Sequence, residues 1–203
     1  MKRLKLGVLA SGGGSNLQSI IDRSLDGSLP ADVAVVISNN SDAGALERAR
    51  KNDIDALHIS SVTEGGEDAA DARIVREMRT RDVDLVILAG YMKMIGRELL
   101  SVYKGRILNI HPALLPKFGG KGMYGMNVHK AVIAAGETES GPTVHVVDEQ
   151  YDHGPILDQI HVPVLPGDTP ETLQKRVLAK EHELYPAVIG KIAEGKEPRV
   201  EIR

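Results

Sequence analysis

Short runs of branched aliphatic residues recur along this chain, separated by stretches whose apolar residues fall at helical spacing. That alternation restricts the fold more than any other feature. The runs lie at residues 6–10, 33–38, 56–59, 85–89, 107–110, 143–147 and 156–164. Segments 17–25, 45–51, 69–79 and 96–103 between them carry apolar residues near a 3.6-residue period. Strand, helix, strand in repetition predicts a parallel sheet with helices on both sides. Runs 6–10 and 85–89 are almost wholly apolar, as strands covered on both faces must be. A last long helix is expected from Thr169 or Pro170 to about Ala193, with Gly195 as its stop. At 203 residues, without repeats or linkers, the chain reads as a single domain over 1–203.

The segment Ile-Leu-Asn-Ile-His-Pro-Ala-Leu-Leu-Pro (107–116) carries the chemistry. Asn109 and His111 stand two apart, which in a strand puts both side chains on one face. Pro112 pushes the residue before it towards the extended region. In open α/β sheets, sites form outside the carboxyl ends of strands. An amide that can donate to a developing oxyanion, beside an imidazole that can move a proton, suits acyl transfer. The bland alternative is a plain His-Pro turn. A proton-moving histidine usually has an orienting group, and loop 147–155 offers two carboxylates, Asp148 and Asp152. Spacing alone does not choose between them. Among other histidines, His145 alternates with Thr143 and is a candidate to face the site, His129 opens a helix, and His182 lies on the last helix. No metal-ligand spacing occurs, so no metal is expected.

A second feature is Ser11-Gly12-Gly13-Gly14-Ser15-Asn16, between the first strand and first helix. Glycines let backbone amides approach a phosphate, and a helix amino terminus offers unpaired N–H groups. Ser15 or Asn16 is a natural helix cap. A dinucleotide fingerprint needs a third glycine where Leu17 stands and an acid where Asn39 and Asn40 stand. A Walker loop needs Gly-Lys-Ser/Thr, which is missing. A single phosphate on a mononucleotide-like substrate remains, against the plain reading of a tight strand–helix turn.

Composition narrows the partners. One Phe, no Trp and five Tyr argue against a stacking platform for nucleic acid. A net charge of -3 gives no electrostatic footprint for polyanions or membranes. The absence of cysteine excludes thiolate nucleophiles and disulfides. The apolar run after Lys5 is too short for a signal peptide or membrane span, so the expected location is the cytoplasm.

Taken together, the motifs resemble a known family. Ser-Gly-Gly-Gly-Ser-Asn-Leu-Gln (11–18), Leu-Glu-Arg-Ala-Arg (46–50), Leu-Ala-Gly-Tyr-Met-Lys (88–93), Leu-Asn-Ile-His-Pro-Ala-Leu-Leu-Pro (108–116), Thr-Val-His (143–145), Asp-His-Gly-Pro-Ile (152–156) and Glu-His (181–182) occur in the order found in phosphoribosylglycinamide formyltransferases. The chain resembles that family over nearly its whole length. The resemblance implies a Rossmann-like open sheet, parallel in its amino-terminal half and mixed in its carboxy-terminal part, with helices on both faces. It implies formyl transfer from 10-formyltetrahydrofolate, as co-substrate, to the amine of glycinamide ribonucleotide in purine biosynthesis. By that resemblance Asn109, His111 and Asp152 are catalytic, with His111 protonated beside Asp152. Gly14, Ser15, Asn16 and Glu181 hold the ribonucleotide. Met92, Lys93, Met94, Ile95 and Asn109 contact the folate.

The implied partners are these small molecules, with no nucleic acid and no membrane; a homo-oligomer is left open. Three departures stand out: 63–68 is acidic and lacks an arginine found in some relatives, loop 119–126 is a few residues longer than in some, and Leu178 replaces a frequent Lys or Gln, with Lys180 as a cation that could compensate from a different helix angle. A methionyl-tRNA formyltransferase would add a tRNA-binding domain and a deformylase a leading regulatory domain; neither is expected here. A non-catalytic nucleotide-binding module would explain the glycine loop and leave Asn109, His111 and Asp152 as coincidence.

Overall fold

The computed structural model describes residues 3–202. Its strands are β1 (Leu4–Leu9), β2 (Ala31–Ser38), β3 (Asp55–His58), β4 (Leu85–Leu88), β5 (Ile107–His111), β6 (Glu139–Ser140), β7 (Thr143–Val146), β8 (Ile156–Gln159) and β9 (Val162–Pro163). Its helices are α1 (Ser15–Leu25), α2 (Gly44–Lys51), α3 (Ser61–Glu64), α4 (Glu67–Thr80), α5 (Arg97–Val102), α6 (Met126–Ala134) and α7 (Pro170–Ala193). Seven strands form one sheet in the order β3–β2–β1–β4–β5–β7–β8. The pairs β3–β2, β2–β1, β1–β4 and β4–β5 are parallel, whereas β5–β7 and β7–β8 are antiparallel. The sheet is therefore mixed, as the resemblance implies.

The pleat explains why β1 from Leu6 onward and all of β4 carry no polar side chain. Leu6 and Val8 of β1, with Leu85 and Ile87 of β4, meet Leu17, Ile20 and Ile21 of α1 and Leu184, Val188 and Ile189 of α7 on one face. Leu9 of β1 and Val86 and Leu88 of β4 meet Ile74, Val75 and Met78 of α4 and Leu99 of α5 on the other. Each such side chain taken fully from water contributes about 1.5–3 kcal/mol. Tyr185 of α7 is fully buried, and its hydroxyl lies 3.1 Å from the Leu88 oxygen and 2.9 Å from the Leu108 oxygen. It thus ties the last helix to the strands that carry the site.

From β1 the chain steps outward to β2 and β3, then returns to β4 on the opposite side and continues to β5. That reversal is the switch point where open α/β sheets leave a crevice beyond their strand ends. Residues 112–126, after β5, lie over it, backed by a small core of Ala113, Val128, Val132, Leu173 and Val177.

Three expectations change. The run 156–164 is two strands: β8 ends at Gln159, and β9 leaves to pair with β6 in a separate two-stranded sheet. The cap of α1 is Gly14, with no side-chain hydrogen bond, instead of Ser15 or Asn16. His129 lies within α6, which begins at Met126. The last helix agrees closely, starting at Pro170 behind a Thr169–Thr172 capping box. Among the described residues no helix is long and apolar enough to cross a membrane.

Candidate active site

Strand β5 delivers Asn109 and His111 to the crevice, and antiparallel β7 sets His145 opposite Asn109 and Thr143 opposite His111. Thr143 fixes the turn that follows: its hydroxyl donates to the Ala113 oxygen (2.6 Å) and accepts the Leu115 N–H (3.1 Å). Asp152 reaches in from the β7–β8 loop with a positive φ of 56°. One of its oxygens accepts the Gly120 N–H at 2.9 Å and lies 3.5 Å from His111 Nδ1. The other lies 3.4 Å from Asn109 Nδ2 and 3.5 Å from His145 Nε2. Asn109 Nδ2 also meets His145 Nε2 at 3.1 Å, while His145 Nδ1 is 3.0 Å from its neighbour's carbonyl, Val146 O. With Nδ1–H donating to that carbonyl, Nε2 of His145 is left to accept from the amide.

Asp148 is not part of this group. It accepts the Gln150 N–H and lies 3.7 Å from the exposed His153.

Burial alone would raise the Asp152 carboxyl. Its contact with His145, the neighbouring His111 and the Gly120 N–H outweigh it and hold the group below the ordinary carboxylate range. His111 goes the other way from the expected protonated form. Its side chain is 4% exposed, and burial pulls the imidazole below the ordinary histidine value, despite Asp152 and the Phe118 oxygen, which lies 2.8 Å from Nε2. The resting imidazole is therefore neutral at pH 7.

The glycine loop faces this group across a cavity of about 580 Å³. Gly14 has a φ of +74°, and a Cβ there would come 2.8 Å from Ala45 Cα, so the turn into α1 requires glycine. Gly14, Ser15 and Asn16 line the cavity together with Glu181 from α7. Asn16 Nδ2 donates to Glu181 Oε2 at 2.6 Å, and burial raises the Glu181 carboxyl. The Asn16 Oδ1 atom is buried without a hydrogen-bond partner among the described residues.

Met92, Lys93, Met94 and Ile95 form a further part of the lining. Their segment is pinned at both ends. The Met92 N–H donates to Ser11 Oγ (2.8 Å), and the buried Asp71 of α4 accepts the Glu98 N–H at the start of α5 (2.8 Å). Met92 and Met94 are 53% and 66% exposed, an apolar wall without a protein cover.

All the site residues expected from sequence thus share one cavity. Two further histidines join them. His145 is buried against Asn109 and Asp152; its alternation with Thr143 is the signal that sequence offers. His129 of α6 is buried with Nδ1 unpartnered among the described residues, and burial with His111 nearby pushes it down to about 4; nothing in sequence marks it. Leu178 and Gln174 line the cavity, whereas Lys180 pairs with Glu183 (2.8 Å) and does not. Among the described residues no three His, Asp or Glu side chains gather so as to hold a metal ion.

Fold and site together define a doubly wound α/β scaffold with a buried Asn–His–Asp group at its switch point and a glycine loop lining the same cavity. The family model described as "Formyl transferase" matches residues 4–189, and the chain belongs to that family. A chloroplastic phosphoribosylglycinamide formyltransferase of Arabidopsis thaliana is 49% identical over 194 residues, covering 95% of this chain and 66% of the plant protein. The chain thus spans just under two thirds of that relative's length. The phosphoribosylglycinamide formyltransferase of Haemophilus influenzae is 40% identical over 192 residues, covering 95% of this chain and 88% of the other. Among solved structures, glycinamide ribonucleotide transformylase 1 from Symbiobacterium toebii matches with TM-score 0.90 at 44% identity, covering 96% of this chain and 89% of that one.

Proposed function

We propose that residues 1–203 act as one catalytic domain that transfers the formyl group of 10-formyltetrahydrofolate to the amine of glycinamide ribonucleotide. The observation that carries this reading is the convergence of Asn109, His111 and Asp152 on the cavity that the glycine loop and Glu181 also line. The family membership and the named relatives support the choice of substrates. The ribonucleotide phosphate sits at Gly14, Ser15 and Asn16, where the amino terminus of α1 favours an anion. Glu181 and Asn16 take the sugar hydroxyls, and the folate lies along the wall 92–95.

In the reaction the neutral amine attacks the formyl carbon, forming a C–N bond and an oxyanion. The Asn109 amide has two hydrogens: one is held by His145, and the one lent to Asp152 across 3.4 Å is free to move to the oxyanion. His111, neutral at rest, takes the amine proton at Nε2 once substrate replaces the Phe118 carbonyl there and the ring's own proton sits on Nδ1, facing Asp152. The ionised Asp152 then faces an imidazolium, which it stabilises. His111 returns the proton to N10 of the folate as the C–N10 bond breaks, leaving tetrahydrofolate and the formylated amide. The site of action is the cytoplasm.

Initial rates of tetrahydrofolate release, with and without the ribonucleotide, test the proposal. Turnover that requires the ribonucleotide is expected. Release without it makes water the acceptor and the protein a deformylase. No release in either case from folded protein returns the non-catalytic binding module.

A further inference from the structure

Helix α2 packs against the back of the glycine loop and grips it by two consecutive carbonyls. The Ala45 N–H donates to the Gly12 oxygen at 3.1 Å. The Arg48 Nε–H donates to the Gly13 oxygen at 2.7 Å. The approach is close: a Cβ on Gly44 would stand 3.2 Å from that same Gly13 oxygen. These peptides are trans, and in a trans peptide the C=O and the following N–H point in opposite directions. Carbonyls drawn towards α2 therefore turn the Gly13 and Gly14 N–H groups away from it. Gly12, Gly13 and Gly14 line the cavity and Arg48 does not, so the direction away from α2 is into the cavity. Neither N–H, nor those of Ser15 and Asn16, has an acceptor among the described residues. Successive N–H groups presented this way form an anion-binding concavity.

From this geometry we infer that Arg48 is a positioning residue for the phosphate subsite, setting the Gly13–Gly14 peptide with its N–H towards the bound phosphate. The inference rests on the assignment of residues 14–16 as the phosphate cradle. The Ala45 contact is made by backbone and survives most substitutions; the Arg48 contact is made by a side chain and can be removed. The guanidinium is itself held in place, since Nη1 donates to Gln18 Oε1 of α1 at 3.1 Å. It bridges helix, loop and helix, and it places a positive charge behind the cradle. A lysine ammonium keeps the charge but lacks the rigid fork that meets two acceptors at once.

The test compares wild type, Arg48→Met and Arg48→Lys with two acceptors, glycinamide ribonucleotide and its dephosphorylated riboside. For Arg48→Met the KM for the ribonucleotide rises about 10-fold or more, the scale of losing a hydrogen bond to a charged group. The KM for the formyl folate and the kcat/KM for the riboside stay at wild-type values, and Arg48→Lys recovers part of the loss. Competitive inhibition by inorganic phosphate weakens in parallel. Equal losses on both acceptors, or a wild-type KM in Arg48→Met, overturn the inference while leaving the transferase reading intact. Wild-type protein that uses the riboside as well as the ribonucleotide removes the phosphate cradle, and the role of Arg48 with it. Should Arg48→Met fail to fold, Arg48→Lys carries the same comparison.

Discussion

Replacing Asp152 by asparagine keeps the shape of the side chain and removes its charge. Two groups lose an anionic partner at once: His111 at 3.5 Å and the Asn109 amide at 3.4 Å. The resting His111 is neutral, so its attraction to Asp152 is realised when the imidazole takes up a proton during the reaction. That is a stabilisation of the transition state over the ground state. Two unit charges 3.5 Å apart at an effective dielectric of 20 attract by about 5 kcal/mol, an upper figure. Hydrogen bonds to charged groups contribute about 1.5–3 kcal/mol when measured by substitution. On this scale kcat of Asp152→Asn falls about 10²- to 10³-fold, while the KM for the ribonucleotide changes little.

The pH profile gives an independent sign. Burial lowers the His111 pKa and Asp152 partly restores it. Without Asp152 the value falls further, so the acid limb of the rate profile, where neutral His111 is lost, moves to lower pH. Stopped-flow absorbance of released folate across pH 5–8 reads both quantities. A variant within a few-fold of wild type, or an acid limb moving to higher pH, refutes the reasoning.

Removing the imidazole itself, in His111→Ala, lowers the rate about 10²-fold or more, the scale of general acid–base assistance; single-turnover kinetics with bound substrates measure it directly. Ser15→Asp places like charge at the start of α1 and weakens the ribonucleotide far more than the folate, which titration calorimetry of each ligand separates. Tyr185→Phe removes a buried hydroxyl from between two strand carbonyls and costs about 1–2 kcal/mol of stability, read as a lower urea midpoint with an unchanged slope.

Much of the fold is legible in the residue pattern because the pattern and the packing have the same period. The parallel half is written in β1 and β4, whose neighbouring residues fill opposite cores, and in amphipathic α1 and α4. The carboxy-terminal half is harder. The run 156–164 is uniformly strand-like, yet its two ends belong to different sheets, a division made by the partners that β8 and β9 find. Asn109 and His111 are visible because strand geometry is local. Placing His145 requires knowing that β7 runs antiparallel to β5, and the buried His129 requires the packing of α6 over the site. The charge state of His111 escapes the sequence for a related reason. Proximity to Asp152 follows from the motif, whereas the degree of burial follows only from the whole fold. The bare glycine cap of α1 likewise reflects the tertiary role of Asn16, whose amide is committed to Glu181 on a helix far along the chain.

The central claim is that formyl passes from the folate to a ribonucleotide amine within this one cavity. The most direct test is a single turnover with carbon-13 in the formyl group of 10-formyltetrahydrofolate, glycinamide ribonucleotide as acceptor, and NMR of the products. The label is expected in the formamide of the ribonucleotide. Label found instead as free formate contradicts the claim.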